Sequence, residues 1–169
     1  MDISNGEGVG VALFVQGCHF HCYNCFNTDT WDFNGGKEWT QEVEDKLIEL
    51  ANKPYIKRLS ILGGEPLADE NLDGVLHLVD RFRLSLPNKS IWVYSGYRWS
   101  EIFNDGVYLT KECAGWKRRE ILKQCNILVD GKYIDSLRDP KLHWRGSSNQ
   151  RVINIKKSLK ERRIILWEK

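Results

Sequence analysis

The stretch "VGVALFVQGCHFHCYNCFN", Val9 to Asn27, joins a run of β-branched and aromatic residues to three cysteines, Cys18, Cys22 and Cys25. Its first part, Val9 to Gln16, reads as a short strand that stops at Gly17. Its second part opens a polar, glycine-containing loop that extends to Gly36. Loops of that length inside a compact domain are usually functional. The cysteine spacing is C-x3-C-x2-C, with no fourth cysteine nearby. In a chain that shows no secretory signal, such a cluster reads as metal ligands before it reads as disulfides.

Outward from this loop, strands alternate with helices. Thr40 caps a helix whose apolar positions are Val43, Leu47, Leu50 and Ala51. "RLSIL" (Arg58 to Leu62) is the next strand and runs directly into "GGEP" (Gly63 to Pro66). A second amphipathic helix carries Leu72, Val75, Leu76, Val79 and Phe82 and ends before Pro87. "SIWVY" (Ser90 to Tyr94) and "NILVDG" (Asn126 to Gly131) are further strands, with a mostly helical stretch over 98–124 between them. "RVINI", a Lys-rich helix and "RIILW" supply one or two more.

This order implies right-handed βαβ units and a mainly parallel sheet. A closed eight-stranded barrel takes about 250 residues. The expected fold is therefore α/β, an open partial (β/α) barrel of five to six strands in one domain spanning 1–169. Ligands gather at the carboxyl ends of strands in such sheets. The cysteine loop, "GGEP", "YSGY" (Tyr94 to Tyr97) and "VDGKY" (Val129 to Tyr133) all fall at that edge.

Composition narrows the function classes. The longest apolar run near the start, "VALFV", is far too short to span a bilayer. "MDISNGEG" lacks a basic region followed by an apolar one, so a cytoplasmic protein without membrane attachment is expected. Cys113 and Cys125 stand alone and read as small core residues. Charge is unevenly distributed: residues 1–116 hold 10 Lys/Arg and 17 Asp/Glu, whereas 117–169 hold 15 and 6. The basic third either faces an acidic partner or is an ordinary solvated surface. No aromatic-interleaved RNA-binding signature accompanies it, so nucleic acid is not expected.

Three thiolates carry the functional question. A 4Fe-4S cluster normally takes four cysteines. Three leave one iron open, as three protein ligands do at catalytic zinc. The alternatives are a Cys3His zinc site using His19 or His21, as in a zinc-bearing binding module, and a ferredoxin-like carrier. Zinc sites usually draw ligands as two pairs from separate turns, and a ferredoxin needs its fourth cysteine.

The cysteine loop after the first strand, with "GGEP" after the second, resembles the paired signature of the radical S-adenosylmethionine (radical SAM) enzymes. "DISNGEG", "LFVQGC", "CFNTDTW", "IWVYSGY", "VDGKY" and "WRGSSNQR" (Trp144 to Arg151) further resemble the glycyl-radical activase branch serving the anaerobic ribonucleoside-triphosphate reductase. The likeness covers Asp2 to about Arg151. Activases of other glycyl-radical enzymes are the nearest alternative, and "WRGSSNQR" distinguishes the two. Two features depart from the pattern. Asn24 stands where many family members place an aromatic residue, and the stretch around 106–120 is longer.

The resemblance implies that Cys18, Cys22 and Cys25 hold one 4Fe-4S cluster whose open iron is chelated by S-adenosylmethionine (SAM). It implies adenine contacts from backbone groups of Asn24, Cys25 and Phe26, and a methionyl contact at Gly63 and Gly64. Glu65 either accepts from the SAM ammonium or complements a helix N-terminus. The implied reaction is reductive cleavage of SAM to methionine and a 5′-deoxyadenosyl radical. That radical takes hydrogen from a glycine on the reductase's large catalytic subunit. An external low-potential electron donor is a further implied partner. Arg145, Asn149, Gln150 and Arg151 are the candidate docking groups.

Overall fold

The computed structural model of the chain describes residues 1–103, 110 and 113–167. Five strands lie side by side in chain order: β1 (Gly10–Val15), β2 (Arg58–Gly63), β3 (Ser90–Ser95), β4 (Ile127–Asp130) and β5 (Arg151–Asn154). The first four run parallel and β5 is antiparallel to β4. Helices α1 (Gln41–Asn52), α2 (Leu72–Ser85), α3 (Trp99–Ile102) and α4 (Ala114–Gln124) fill the crossovers, and α5 (Ile155–Glu161) follows β5. Each crossover steps one strand in the same direction, as in a barrel. β1 and β5 do not pair with each other, so the sheet stays open, as the sequence implies.

Strand alternation gives the sheet two faces with different chemistry. Leu59, Ile61, Ile91, Val93, Leu128 and Ile153 join the main core with residues of α1, α2 and α4. The other face carries Trp92, Ile127, Val129 and Val152, against which Tyr94, Trp144 and Trp167 pack. On that same face β2 places Arg58 and Ser60, both fully buried. The N-terminal segment supplies partners for both. Arg58 donates from Nη1 to Asp2 Oδ2 at 2.8 Å and from Nη2 to Gly6 O at 3.1 Å, and Ser60 donates to Asn5 O at 2.5 Å.

Several helical expectations change in detail. Thr40 caps α1 through Val43 N at 3.3 Å, as expected. The buried face, however, is Glu44, Leu47 and Ala51, while Val43 and Leu50 are exposed. Glu44 goes inward because Trp39 Nε1 and Arg81 Nη1 both donate to it at 3.0 Å. In α2, Leu78 is buried and Leu76 only partly so. Of the 98–124 stretch, α3 and α4 are seen; residues 104–109 and 111–112, which include part of the long 106–120 segment, lie outside the described residues.

Cys125 is a core residue as expected, and burial pushes its thiol up to about 12. Cys113 is not. It is the half-buried N-cap of α4, its Sγ accepting from Trp116 N at 3.4 Å. "RIILW" contributes a single bridge, Ile153 with Leu166, rather than a strand.

The charge asymmetry is balanced in part in three dimensions. Arg118 pairs with Asp69 and Lys117 with Asp73, joining the basic third to acidic residues of the preceding segment, whereas Arg151 pairs with Asp130 inside it. Lys156, Lys157, Lys160, Arg162 and Arg163 remain exposed.

Asp2→Ala would leave the buried Arg58 guanidinium without its counterion. Removing one member of a fully buried pair costs roughly 3–5 kcal/mol. The Asp2 side chain keeps 13% exposure, so urea unfolding should show a loss of about 2–3 kcal/mol. Burial raises the Asp2 carboxyl, but hydrogen bonds from Ser4 N–H and Arg58 outweigh it and hold it below its ordinary 3.8. Its contribution is complete above that value and is lost as pH falls through the native one. The variant should therefore lose less stability on acidification below about pH 4 than the wild type.

Candidate metal and cofactor site

The cysteine loop is closed at its base by main-chain bonds. Gly17 N donates to Thr30 O at 2.8 Å and Cys18 N to Trp31 O at 3.1 Å. Between them the chain turns sharply, with His21 and Asn24 at φ 44° and 53°, a region that asparagine and histidine enter more readily than most residues. Cys25 N donates to Cys22 O at 3.1 Å, and Asn27 N to Cys25 Sγ at 3.4 Å. All three cysteines are half-buried and unbridged.

The "GGE" turn is stitched to the base of this loop. Gly64 N donates to Val15 O at 2.9 Å and Glu65 N to Gly17 O at 2.7 Å. The glycines are needed for the protein's own packing. Gly63 has φ +104°, and a Cβ at Gly64 would stand 2.4 Å from Gly17 O and 2.8 Å from Thr30 O. Asn71 Nδ2 locks the same junction, donating to Gln16 O and Glu65 O, both at 2.9 Å.

Glu65 is 2% exposed and acts as a clamp. Its carboxylate accepts from Leu67 N at 2.9 Å, Ser95 Oγ at 2.8 Å and Gly96 N at 2.7 Å. The end of β2 is thereby tied to "YSGY" after β3. Burial pushes its carboxyl up to about 7 against the effect of these three donors.

These loops enclose a cavity of about 510 Å³ at the carboxyl ends of the parallel strands. Cys18, Cys22, Cys25, Phe26, Gly63, Gly64 and Glu65 line it, together with Tyr94–Gly96 and Gly131–Tyr133. Asn24 does not; its side chain donates to Asp135 Oδ2 at 3.2 Å instead. Neither His19 nor His21 lines the cavity. His19 Nε2 sits 2.8 Å from Glu70 Oε1, and the His21 ring packs on Trp31. A fourth imidazole ligand is thus directed elsewhere. Among the described residues no three His, Cys, Asp or Glu side chains are gathered to hold one metal ion.

The thiols are tuned from two directions. Burial raises Cys18, while N–H groups of Phe20 and His21 counter it. Burial and the neighbouring Cys25 raise Cys22, and Tyr133 N–H and the Lys132 charge oppose them. Metal binding deprotonates such thiols outright. Three thiols on one cavity wall, with main-chain N–H groups turned toward them, fit a group that takes three thiolates. Lys132 and Tyr133, whose roles "VDGKY" did not disclose beforehand, belong to this surround; Lys132 Nζ lies 4.5 Å over the Phe20 ring.

The proposed docking residues are mostly engaged within the chain. Gln150 accepts from Gly146 N at 2.9 Å and donates to Gly131 O at 2.9 Å. Asn149 donates to Lys132 O at 2.8 Å, and Arg151 forms a two-pronged pair with Asp130. They brace the loop before β5. Tyr94 of "YSGY" and Trp144 of "WRGSSNQR" also line the cavity. Tyr94 was readable, because it alternates with Trp92 on the face that holds Arg58 and Ser60.

Comparison with known proteins agrees with this geometry. Residues 4–153 match the family model described as a 4Fe-4S single cluster domain. The anaerobic ribonucleoside-triphosphate reductase-activating protein of Salmonella typhi is 40% identical over 158 residues, 92% of this chain and 95% of that protein. The proteins of the same name from Escherichia coli (strain K12) and Vibrio cholerae are 39% and 40% identical, over 92% and 89% of this chain and 95% and 90% of theirs. No solved structure matches.

Glu65→Gln would set an NH2 group against main-chain N–H donors and should cost about 1–3 kcal/mol in chemical unfolding. The native carboxyl titrates at about 7 and the ordinary one at 4.5. Between these values the native state holds a proton that the unfolded chain has released, so rising pH removes stability across this window. In the variant that decline should flatten, as read from thermal melts at several pH values.

Proposed function

Because the chain belongs to the family of anaerobic ribonucleoside-triphosphate reductase-activating proteins, we propose that it generates the glycyl radical on such a reductase. The observation that carries the reading is the three-cysteine wall of a cavity closed by the Gly63–Glu65 turn. Cys18, Cys22 and Cys25 would hold one 4Fe-4S cluster, with SAM at the open iron. When bound, the cluster would supply the one-electron reduction needed to cleave the SAM sulfonium, the chemistry that hydrogen abstraction at the reductase glycine requires.

The chain's own residues do the positioning. The Gly17–Trp31 closure holds the cysteine loop, and the Glu65 clamp keeps the β2 and β3 ends fixed relative to it. Main chain at Cys25 and Phe26 offers polar groups for adenine. The Gly63–Gly64 backbone offers the same for the methionyl end. Among the described residues Glu65 Oε2 accepts from Gly96 N alone, which leaves capacity for the SAM ammonium. Phe20, Phe26, Trp144 and Leu142 supply apolar wall beside the charged Lys132, Arg138 and Asp139.

An external donor of low potential must supply the electron, and an oxygen-poor cytoplasm is the compartment that suits this chemistry. No described helix is long and apolar enough to cross a membrane.

Anaerobic reconstitution should give brown protein with about four irons per chain. Mixed with SAM, a strong reductant and the reductase, it should produce a glycyl radical signal in electron paramagnetic resonance. Cys22→Ala should give none. A reductase that stays silent while a different glycyl-radical enzyme acquires the signal would reassign the partner, and colourless protein with one zinc would overturn the reading.

A further inference from the structure

The proposed function employs the cysteine loop and the turn after β2 and leaves the rest of the cavity lining without a task. That remainder includes Tyr94 of β3 and, before β5, Arg138 and Asp139 beside Leu142, Trp144 and Arg145. Two of its polar atoms are shielded from solvent and have no hydrogen-bond partner among the described residues: Tyr94 Oη and Arg145 Nε. A buried donor left unmade costs about 1–3 kcal/mol. Native structures hold few of them, and each calls for an explanation.

Both donors sit on fixed supports. Arg145 Nη1 donates to Gln150 O at 3.0 Å, and Gln150 is itself held by Gly146 N and Gly131 O. Tyr94 and Trp144 pack against the same cluster, where the Trp92 and Trp144 rings meet edge to face at 5.1 Å. Arginine Nε–H donates only. Burial drives the Tyr94 phenol well above its ordinary range, so it stays an O–H group. Beside Pro140, Leu142 and Trp144, the Arg145 Nε–H asks for an oxygen acceptor, and the Tyr94 O–H can donate to one as well.

A peptide main chain passing through a glycine has that chemistry. The cavity mouth points the same way. Phe26 is 64% exposed and lines the cavity, and it packs edge to face on Tyr133. Asn24 ties the cysteine loop to Asp135, between the exposed Ile134 and Leu137. An exposed apolar lip beside a cavity marks a protein contact.

We propose that Tyr94 Oη and Arg145 Nε form a peptide subsite that takes main-chain carbonyls of the reductase segment bearing the target glycine. The proposal rests on the reading of the preceding subsection. A SAM carboxylate is the competing oxygen acceptor, and the test separates the two.

The probe is a synthetic peptide spanning that glycine, titrated anaerobically into cluster-loaded protein with SAM present. Tyr94→Phe removes one oxygen and keeps the packing; Arg145→Met removes the guanidinium. Each variant should weaken peptide binding about tenfold while SAM affinity stays within about twofold of wild type. Unchanged peptide affinity in Tyr94→Phe, with an unaltered melting temperature, would overturn the subsite even if Arg145→Met folds poorly. Loss of SAM affinity in place of peptide affinity would overturn it in favour of the carboxylate. Absence of peptide binding by wild-type protein that does place the radical on intact reductase would also overturn it, and leaves the activase reading standing.

Discussion

Glu65 N donates to Gly17 O at 2.7 Å, and Gly64 N to Val15 O at 2.9 Å. These two bonds hold the cysteine loop against the end of β2 so closely that no side chain fits between the strands' ends. The rest of the site is arranged around that junction. The Glu65 carboxylate extends it to β3 through Ser95 and Gly96, and Asn71 pins it from α2. A loop rich in thiols and turns has little core of its own. Its order is borrowed from a neighbouring backbone, which is why the glycines and the acid come together in one short motif.

The concave side of the sheet is the second constraint. Parallel strands covered by helices usually read as continuous apolar runs, and β2 breaks that habit with Arg58 and Ser60. Their partners come from Asp2, Asn5 and Gly6, so the N-terminal segment is part of the sheet's interior. Farther along the same face the polar content falls, and Trp92, Trp144 and Trp167 take over. The interior thus passes from an ionic end to an aromatic one, with the cavity at the carboxyl ends of the strands.

Much of this was legible in the sequence. The strand and helix order followed from alternation and caps, and the cysteine spacing with "GGEP" located the cavity. What escaped was set by tertiary partners. Glu44 displaced Val43 and Leu50 from the buried side of α1 because Trp39 and Arg81 reach it. Glu65 looked like a ligand contact or a helix-end charge; it is in addition a clamp between strands, since its acceptors meet groups 30 residues away that no local pattern reveals. Asn149, Gln150 and Arg151 looked like recognition groups because they are polar near a loop, and each also makes hydrogen bonds within the chain. Asn24 is not among the residues lining the cavity, and its side chain binds Asp135.

Strand order has a consequence for biogenesis. Every strand after the first pairs with the one made just before it, so the sheet can assemble vectorially as the chain leaves the ribosome. Asp2 is already present when Arg58 emerges, and the cation need never wait for its counterion. The segment 138–150 comes almost last, although it supplies part of the cavity wall. Until it docks, the thiols of the nascent chain face a half-built vestibule.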